Sequence, residues 1–417
     1  MTHELQSGSK LGKYEIHGRL SSGGMAELYL ASLGGQGGFK KFVALKRVLP
    51  QIAQDEDFTR MFLDEARITA SLSHAAIAQV YELAEDPQTR EPVLAMEYIA
   101  GQNLEQLVKR ARARNVEIPS GFTCRIAHDV LLALHSAHAF VDPATGRPME
   151  IVHRDINPRN VMVTYTGGTK IVDFGIAKAR GRLHHTQVGF VKGTLQYMAP
   201  EQVMAKTVDA RTDLFSASIL FYELLAGRRL FDAPSEVETM RRVACSDVPD
   251  LGEIAPGLSE ELCNTVMKGL QCYPSDRWQT AREYARALDR AFPDAFDDAQ
   301  VAELMAKLFD DKIAVTRTML SGTAATVADL QLISRRSDSD SQAPVITSPD
   351  RPVIRGPILT PQSFELTERS LEPVPVHSFR SLKKPRTPAW VYLVGALTAL
   401  AGLVMLWALA LLLFRSA

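Results

Sequence analysis

A series of short motifs limits most strongly what this chain can fold into. It begins with HRDINPRN at His153–Asn160 and continues with DFG at Asp173–Gly175 and GTLQYMAPE, which ends at Glu201. DLFSASILFYELLAG then starts at Asp213, and PSDRW contains Arg277. Each short match can arise by chance, but the whole series in this order and spacing cannot plausibly do so. The series therefore predicts one large domain built around these motifs.

Composition narrows the class of partner. The chain has 47 basic and 48 acidic residues. Such a balance gives no electrostatic case for nucleic acid as the main partner. The four cysteines are scattered, and no two of them form a Cys-x-x-Cys pair, so they suggest neither a zinc site nor a disulfide framework. They fit a reducing cytoplasm.

The order of elements predicts an α+β fold. Residues 14–100 contain short β-type runs such as AELYLASL and FVALKRVL, with one helical stretch, DEDFTRMFLDEARITASL, between them. Residues 102–292 show mostly helical patterns, and 214–225 forms one apolar helix. Lys46 ends the run VALK, and Glu65 lies in the early helix. By themselves these two residues are most simply an ordinary surface ion pair.

Two glycine clusters precede Lys46. A loop that covers phosphates needs bare backbone between two strands, so that its N–H groups can approach the anion. The cluster at Leu20–Ala31, LSSGGMAELYLA, lies between two strand-like runs, whereas GGQGG at Gly34–Gly38 reads as a flexible turn. The first cluster is therefore the predicted phosphate loop. It departs from G-x-G-x-x-G, because Ser21 and Ala26 occupy the outer glycine positions.

The complete series resembles the eukaryotic-like (Hanks-type) Ser/Thr protein kinases, particularly bacterial ones with GGM in the glycine loop. The resemblance covers residues 14–292. It implies a bilobal protein-kinase fold, with a small β-rich N-lobe, a larger α-helical C-lobe and ATP in the cleft between them. It also implies protein substrates and a divalent metal, Mg²⁺, with Mn²⁺ as an alternative.

The resemblance assigns roles to individual residues. Lys46 would contact the α- and β-phosphates and pair with Glu65, and Asp155 would accept the proton of the substrate hydroxyl. Asn160 and Asp173 would hold the metal ion. The expected catalytic residues are Asp155, Lys46 and Asn160. The expected ATP-binding residues are Leu20, Ser21, Ser22, Gly23, Gly24, Met25, Ala26, Leu28, Lys46 and Glu65. Glu201, Arg277 and Asp213 would be structural.

Asn157 departs from the family pattern, because most Ser/Thr kinases carry a lysine there that helps to hold the γ-phosphate. An amide can donate a hydrogen bond but brings no charge. The loss of a charge-assisted contact in the transition state costs about 1–3 kcal/mol, or one to two decades in rate. We therefore expect a slow kinase rather than an inactive one. Arg159 and Lys192 are candidates for the missing charge.

The same loop and the segment after DFG indicate substrate class and regulation. Pro158 in DINPRN and Thr194 in KGTLQY match Ser/Thr kinases, and the arginine-alanine pattern of tyrosine kinases is missing. Arg154 precedes the catalytic aspartate, where a guanidinium can bind a phosphate on the activation segment. Thr186 is the predicted switch phosphosite, and Thr194 is the predicted substrate-facing one.

The remainder of the chain predicts a membrane tether. Residues 1–13 form an N-terminal tail, and 293–334 a helical extension with Val301, Leu304, Met305 and Leu308 on one face. A Pro/Ser-rich disordered linker follows at 335–388. Residues 389–414 form one transmembrane helix and 415–417 a short external tail. The uncharged stretch 390–414 spans roughly 30 Å of hydrocarbon as a helix, and the alternative is a buried helix of a soluble protein.

Orientation and function follow from these features. Lys383, Lys384 and Arg386 precede the span, so the positive-inside rule places the kinase domain in the cytoplasm of a single-pass protein of the bacterial inner membrane. Tethering favours a homodimer for trans-autophosphorylation. The expected function is a membrane-tethered Ser/Thr protein kinase in cytoplasmic signalling. Two alternatives are a low-activity or inactive kinase-like scaffold and a small-molecule phosphotransferase.

Overall fold

The structure is a computed structural model that describes residues 5–23, 25–35, 40–87, 89–174 and 195–321. All of them belong to one compact unit, Met1–Val345. Within these ranges no helix combines the length and the apolar character needed to cross a membrane. Several predicted features lie outside the described residues: Gly24, Thr186, Lys192, Thr194, the linker 335–388, the span 389–414 and the tail 415–417.

The described residues form two lobes, which confirms the predicted bilobal fold. The small lobe is built on an antiparallel sheet with strand order β1-β2-β3-β4-β6-β5. Its strands are β1 Lys10–Leu11, β2 Tyr14–Ser22, β3 Ala26–Gly34, β4 Lys40–Val48, β5 Val80–Glu85 and β6 Pro92–Glu97. β2 buries Tyr14 and Ile16 and leaves Glu15 and His17 partly exposed. This period of two is the reason that the segment forms a strand with one covered face.

Two helices complete the small lobe: α1 Pro50–Ala53 and α2 Glu56–Ser71. The side chain of Asp55 starts α2 by accepting hydrogen bonds from the backbone N–H groups of Asp57 and Phe58. Phe62 then packs with Val48 and Leu94 of the sheet. This packing fixes the helix against the sheet and turns Glu65 towards Lys46.

The large lobe is helical in its described part. Its helices are α3 Leu104–Ala113, α4 Ser120–His138, α5 Pro200–Val203, α6 Ala210–Ala226, α7 Glu236–Cys245, α8 Leu251–Ile254, α9 Glu260–Gly269, α10 Ala281–Ala291 and α11 Asp298–Leu320. α6 is buried on nearly every face, as its apolar sequence predicts. α9 approaches it so closely that a Cβ atom at Gly269 would lie 2.0 Å from the Ser218 Oγ atom.

A second, small sheet lies next to the two motifs HRDINPRN and DFG. It consists of β7 Gly101–Asn103, β8 Val161–Thr164 and β9 Thr169–Ile171, all antiparallel. HRDINPRN therefore enters β8, and DFG leaves β9 on the same side of the hairpin. Ile171 also exchanges backbone hydrogen bonds of 2.9 Å with Ala76 and Ala78, which joins the hairpin to the chain between α2 and β5.

Helix α11 packs on α3 and covers one side of the large lobe. Val301, Leu304, Met305 and Leu308 are buried, which confirms the face predicted from their spacing. Asp297 starts the helix in a capping box with Gln300. The apolar face of α11 is buried because it packs on the large lobe. The helix is therefore part of this lobe rather than a separate element.

Polar contacts extend the docking of α11 to the connection between the lobes. Arg110 of α3 donates to the Asp311 carboxylate at 2.7 Å, and the Lys312 ammonium donates to Gln102 Oε1 at 3.1 Å. Thr316 is buried, and its side chain lies beside the phenol groups of Tyr98 and Tyr165. Tyr98 directly follows β6, so the helix supports the segment through which the chain passes from one lobe to the other.

The turn between β8 and β9 receives the start of α11. Gly167 has φ = +96°, and a Cβ atom there would lie 1.9 Å from the carbonyl oxygen of Asp298. Only glycine fits this position, both for its backbone conformation and for the close approach. Arg125 adds a hydrogen bond of 2.5 Å to the Asp298 carboxylate.

Candidate active site

Lys46 lies at the centre of a group of charges in the cleft. Its ammonium contacts Asp173 Oδ1 at 2.8 Å and Glu65 Oε1 at 3.9 Å. Burial lowers the pKa of Lys46, but the carboxylates of Asp173 and Glu65 outweigh it, and the net result raises this pKa to about 12. Lys46 therefore stays cationic at neutral pH and can meet phosphate oxygens. The three residues come from β4, α2 and the chain after β9.

The catalytic-loop motif is held by a buried aspartate. Asp213 at the start of α6 accepts hydrogen bonds of 2.7 Å from the backbone N–H groups of both His153 and Arg154. The ring of His138 adds a third contact, at 2.8 Å. Arg154 has φ = +65°, an unfavourable conformation for a residue with a side chain. The hydrogen bonds to Asp213 hold the loop in this strained form, which agrees with the structural role predicted for Asp213.

Asp155 and Asn160 are brought together by the same loop. The Asn160 Nδ2 atom donates to the Asp155 carbonyl oxygen at 2.9 Å and to its carboxylate Oδ2 at 3.1 Å. The carboxylate of Asp155 is therefore fixed, and the Asn160 Oδ1 atom is left as an acceptor. A backbone hydrogen bond of 3.0 Å from Val172 to Asn160 places the loop beside Asp173.

Asp173 leaves β9 with φ = +55°, and Phe174 after it is buried. The Phe174 ring packs on the His153 imidazole with the ring centroids 4.5 Å apart. Burial lowers the pKa of His153. A neutral imidazole accepts at Nδ1 from the Asp155 backbone N–H and donates from Nε2 to Val172 O at 3.2 Å. Packing of Phe174 inward thus turns Asp173 towards Lys46.

Asn157 is bonded within the catalytic loop. Its Nδ2 atom donates to the Asp155 carbonyl oxygen at 3.0 Å, and its Oδ1 atom accepts from the Arg159 backbone N–H at 2.9 Å. Only 7% of the residue is exposed. Both polar atoms therefore have partners inside the loop, and the side chain brings no charge to the cleft. Asn157 stabilises the loop.

The predicted phosphate loop is the turn between β2 and β3. Its described residues include Leu20–Gly23 and Met25–Leu28, and the backbone N–H of Gly23 donates to Ala26 O at 2.9 Å. Met25 is 56% exposed. Lys46 pairs with Leu28 across β3 and β4, so the hairpin and the lysine share one sheet surface. Such a hairpin can lie over a nucleotide whose phosphates reach Lys46.

Glu201 and Arg277 form a buried ion pair beneath the site. The guanidinium of Arg277 makes two parallel hydrogen bonds of 2.8 Å to the Glu201 carboxylate. It also donates to the carbonyl oxygens of Arg211, Gln271 and Cys272. Burial alone would raise the pKa of Glu201, but hydrogen bonds from Arg277 and Thr212 leave it lowered. These two residues have the structural role that the sequence suggested.

Two parts of the site were missed by sequence reasoning. Gln202 donates to the Arg154 carbonyl oxygen at 3.0 Å and so connects the APE segment to the catalytic loop. Behind Lys46 lies a small cavity lined by Thr69, Leu94 and Met96, among others. Met96 is the last apolar residue of β6, whose sequence PVLAME is a short β-type run. The position of the run beside Lys46 follows from sheet order, which local patterning does not contain.

Oxygen and nitrogen donors in this arrangement suit a metal-bound nucleotide. Carboxylate and amide oxygens from Asp173 and Asn160 fit Mg²⁺, which takes oxygen ligands and relies on substrate phosphates for the rest of its shell. A cationic Lys46 can neutralise phosphate charge, and the fixed carboxylate of Asp155 can accept a proton. Together these groups can perform phosphoryl transfer.

Comparisons with known proteins agree with this chemistry. The protein kinase domain family matches residues 14–287. Tyrosine-protein kinase MasK of Myxococcus xanthus is 39% identical over 278 residues, which are 67% of this chain and 43% of MasK. Serine/threonine-protein kinase PknB of Mycobacterium tuberculosis is 34% identical over 286 residues, which are 67% of this chain and 42% of PknB. The chain thus matches less than half the length of each of these relatives.

A solved structure shows the same fold. The crystal structure of the M. tuberculosis PknI kinase domain is 28% identical in sequence and gives a TM-score of 0.52. It covers 69% of this chain and 99% of the PknI domain. On the family match and the identity to these relatives, this chain belongs to the protein kinase family, which uses ATP and a divalent metal.

Proposed function

We propose that this chain is an active Ser/Thr protein kinase that transfers the γ-phosphate of ATP to hydroxyl groups of proteins, including its own. The observation that carries the proposal is the assembly around Lys46. Its ammonium lies 2.8 Å from Asp173 and 3.9 Å from Glu65, while Asp155 is fixed by Asn160. A kinase-like protein without activity usually lacks one of these residues, and this chain keeps all of them in contact.

The described residues suggest how the reaction proceeds. Lys46 binds the phosphates of ATP and keeps them in line with the acceptor hydroxyl. Asn160 and Asp173 hold Mg²⁺, which supplies charge neutralisation when bound. Asp155 accepts the proton of the acceptor hydroxyl, and its orientation depends on Asn160 and on the loop that Asp213 holds. Arg154 is half-buried beside Asp213 and is proposed to bind a phosphorylated Thr186.

Serine and threonine are the proposed acceptors. Pro158 and Thr194 support this class, and several of the kinases that match bear Ser/Thr kinase names. The name of MasK, a tyrosine kinase, makes phosphotyrosine the rival outcome. Acid hydrolysis of the labelled protein, followed by separation of the phosphoamino acids, distinguishes the two.

We also propose that residues 389–414 tether the kinase domain to the cytoplasmic face of the bacterial inner membrane as a single pass. The support is the uncharged stretch 390–414 and the three cations before it, Lys383, Lys384 and Arg386. Neighbouring copies would then phosphorylate each other in trans. Membrane fractionation of the full chain and of a chain ending at residue 386 tests the tether, because only the full chain should sediment with membranes.

The experiment that tests the activity uses the full chain in detergent micelles with labelled ATP and Mg²⁺. Lys46→Ala and Asp155→Asn serve as the matched inactive variants. We expect label on serine or threonine of the parent, with a rate about 10²- to 10⁴-fold lower in Asp155→Asn. No label in any of the three, with Mn²⁺ and a generic protein substrate also tried, would favour the alternative of a nucleotide-binding scaffold that recruits partners.

A further inference from the structure

The position that carries lysine in most relatives of this family cannot supply charge in this chain. Asn157 is 7% exposed, and its amide is bonded on one side to Asp155 and on the other to the Arg159 backbone. A phosphoryl group in transfer carries charge on three equatorial oxygens, which an uncharged, buried amide does not neutralise. A cation from elsewhere in the cleft would restore the charge that this position lacks.

The other described cations of the cleft are engaged. Lys46 is bonded to Asp173 and paired with Glu65. The guanidinium of Arg154 is half-buried beside Asp213. Lys46 holds the site together through these contacts, and Arg154 is proposed above to bind a phosphorylated Thr186, so neither of them is assigned the missing charge.

Arg159 differs from these two cations in its surroundings. It directly precedes Asn160, whose side chain bonds Asp155, so its backbone is fixed beside the reacting groups. Its side chain is 49% exposed and forms an ion pair from Nε to Glu105 Oε2 at 2.9 Å. The Asn157 oxygen holds the Arg159 backbone N–H at 2.9 Å. The asparagine that replaces lysine is thus the residue that positions this arginine.

The ion pair between Arg159 and Glu105 is weak enough for a phosphate to replace the carboxylate as the partner of the arginine. Glu105 is itself 37% exposed, and ion pairs between exposed side chains are weak. A phosphate offers more charge than a carboxylate and accepts two parallel hydrogen bonds from a guanidinium. Glu105 is also tied to the loop, because its backbone N–H donates to Pro158 O at 3.2 Å. The carboxylate therefore stays near the loop when the arginine leaves it.

We propose that Arg159 leaves Glu105 when the nucleotide binds and becomes the catalytic cation for the transferring phosphoryl group, in place of the lysine that Asn157 replaces. The inference rests on the proposed kinase function. The bond from the γ-phosphorus to the bridging oxygen breaks with ADP as the leaving group, and the bond from phosphorus to the acceptor oxygen forms. The acceptor proton passes to Asp155. Arg159 forms only hydrogen bonds to the equatorial oxygens.

The first test compares initial rates of the full chain with those of Arg159→Ala, Arg159→Lys and the double variant Arg159→Ala/Asn157→Lys. We expect Arg159→Ala to lower kcat about 10- to 100-fold while KM for ATP changes little. Arg159→Lys should keep part of the rate, and a lysine restored at position 157 should recover the double variant. Arg241→Ala is the matched control, because Arg241 is an exposed arginine paired with Glu238 far along the chain.

Rescue separates a catalytic role from a structural one. Loss of a merely structural ion pair to Glu105 would not be repaired by a lysine at position 157. Glu105→Gln removes the partner and keeps the arginine, so it should preserve or raise kcat. An unchanged kcat in Arg159→Ala would overturn the proposal, and so would a double variant no faster than Arg159→Ala. A loss of rate confined to Lys192→Ala would also overturn it, by assigning the charge to Lys192.

A second measurement decides the role of Arg159 even if the parent shows no activity. Mg·ADP with aluminium fluoride mimics the transferring phosphoryl group, whereas Mg·ADP alone does not. We expect the extra thermal stabilisation by aluminium fluoride in the parent to be lost in Arg159→Ala and regained in the double variant. An equal extra stabilisation in parent and Arg159→Ala rejects the inference. An inactive parent rejects the proposed function, and the fluoride comparison still answers for Arg159.

Discussion

This kinase has two groups of ion pairs that differ in their exposure to solvent, one around Arg277 and one around Lys46. Arg277 and Glu201 are almost completely buried, with side-chain exposures of 0% and 6%, and the guanidinium is saturated with further backbone acceptors. Lys46 and its partners lie in the cleft, where Asp173 is 45% exposed and the contact to Glu65 is 3.9 Å long. The first group fixes the large lobe. The second leaves room for phosphates and a metal ion to enter between its members.

This difference teaches where the fold tolerates change. A buried charge that loses its partner has no water to replace it, so one broken pair is costly. The pair of Lys46 and Asp173 is more open, because the Asp173 side chain is 45% exposed, so solvent screens this carboxylate and a change of partner costs less. Stability should therefore depend on the buried pair, and activity on the open one.

The largest effect is expected at the buried pair. Arg277→Ala leaves the Glu201 carboxylate buried without its partner, and we expect the free energy of unfolding to fall by about 3–5 kcal/mol. Chemical denaturation of the full chain measures this. Arg211→Ala is the control, because Arg211 pairs with the half-exposed Asp209 and should cost no more than about 1 kcal/mol. Equal losses in the two variants would mean that burial does not distinguish the pairs.

A smaller effect, and of another kind, is expected in the cleft. Glu65→Gln keeps the shape of the side chain but removes the charge that holds Lys46, and we expect kcat/KM for ATP to fall about tenfold. The free energy of unfolding should fall less than in Arg277→Ala, because Lys46 keeps its 2.8 Å contact with Asp173. Steady-state rates and denaturation of the same sample test both halves. Glu56→Gln, in the exposed first turn of α2, provides the matched substitution; a large loss of stability in Glu65→Gln alone would contradict the expectation.

The smallest effect concerns the connection between the two regions. Thr316→Val removes a buried hydroxyl that lies beside Tyr98 and Tyr165, and we expect a loss of about 1 kcal/mol in stability. Thr318→Val changes an exposed hydroxyl of the same helix and should be nearly silent. If Thr316→Val lowers the free energy of ATP binding more than the free energy of unfolding, the segment between the lobes contributes mainly to the cleft and less to the stability of the fold.

Much of the fold can be predicted from the sequence because the patterns that specify its strands and helices are local. The period-two pattern of β2, the apolar α6 and the face of α11 follow from residues close in sequence. Residue type and spacing contain the information in these elements. The resemblance to the kinase family, rather than spacing, assigned Lys46, Glu65 and Asp173 to one site.

The remaining features depend on contacts between distant segments or on backbone conformation. That both polar atoms of Asn157 turn inward depends on the tight loop, which the letters HRDINPRN do not specify. The pair between Arg159 and Glu105 joins residues from the catalytic loop and α3. The support of Tyr98 by Thr316 crosses most of the chain. The hydrophobic periodicity of a segment does not predict such contacts, because it reports only which face of that segment is buried.

Gly167 makes the turn between β8 and β9 and the start of α11 a matched pair. A side chain at this position would occupy the space of the Asp298 carbonyl group. An engineer who grafts α11 onto another kinase must therefore transplant this turn with it, or the incoming helix will meet a methyl group at its first residue. Conversely, a chimaera that keeps Gly167 but replaces the segment after α10 would lose the backbone of Asp298 that packs against this turn, and would leave a gap there.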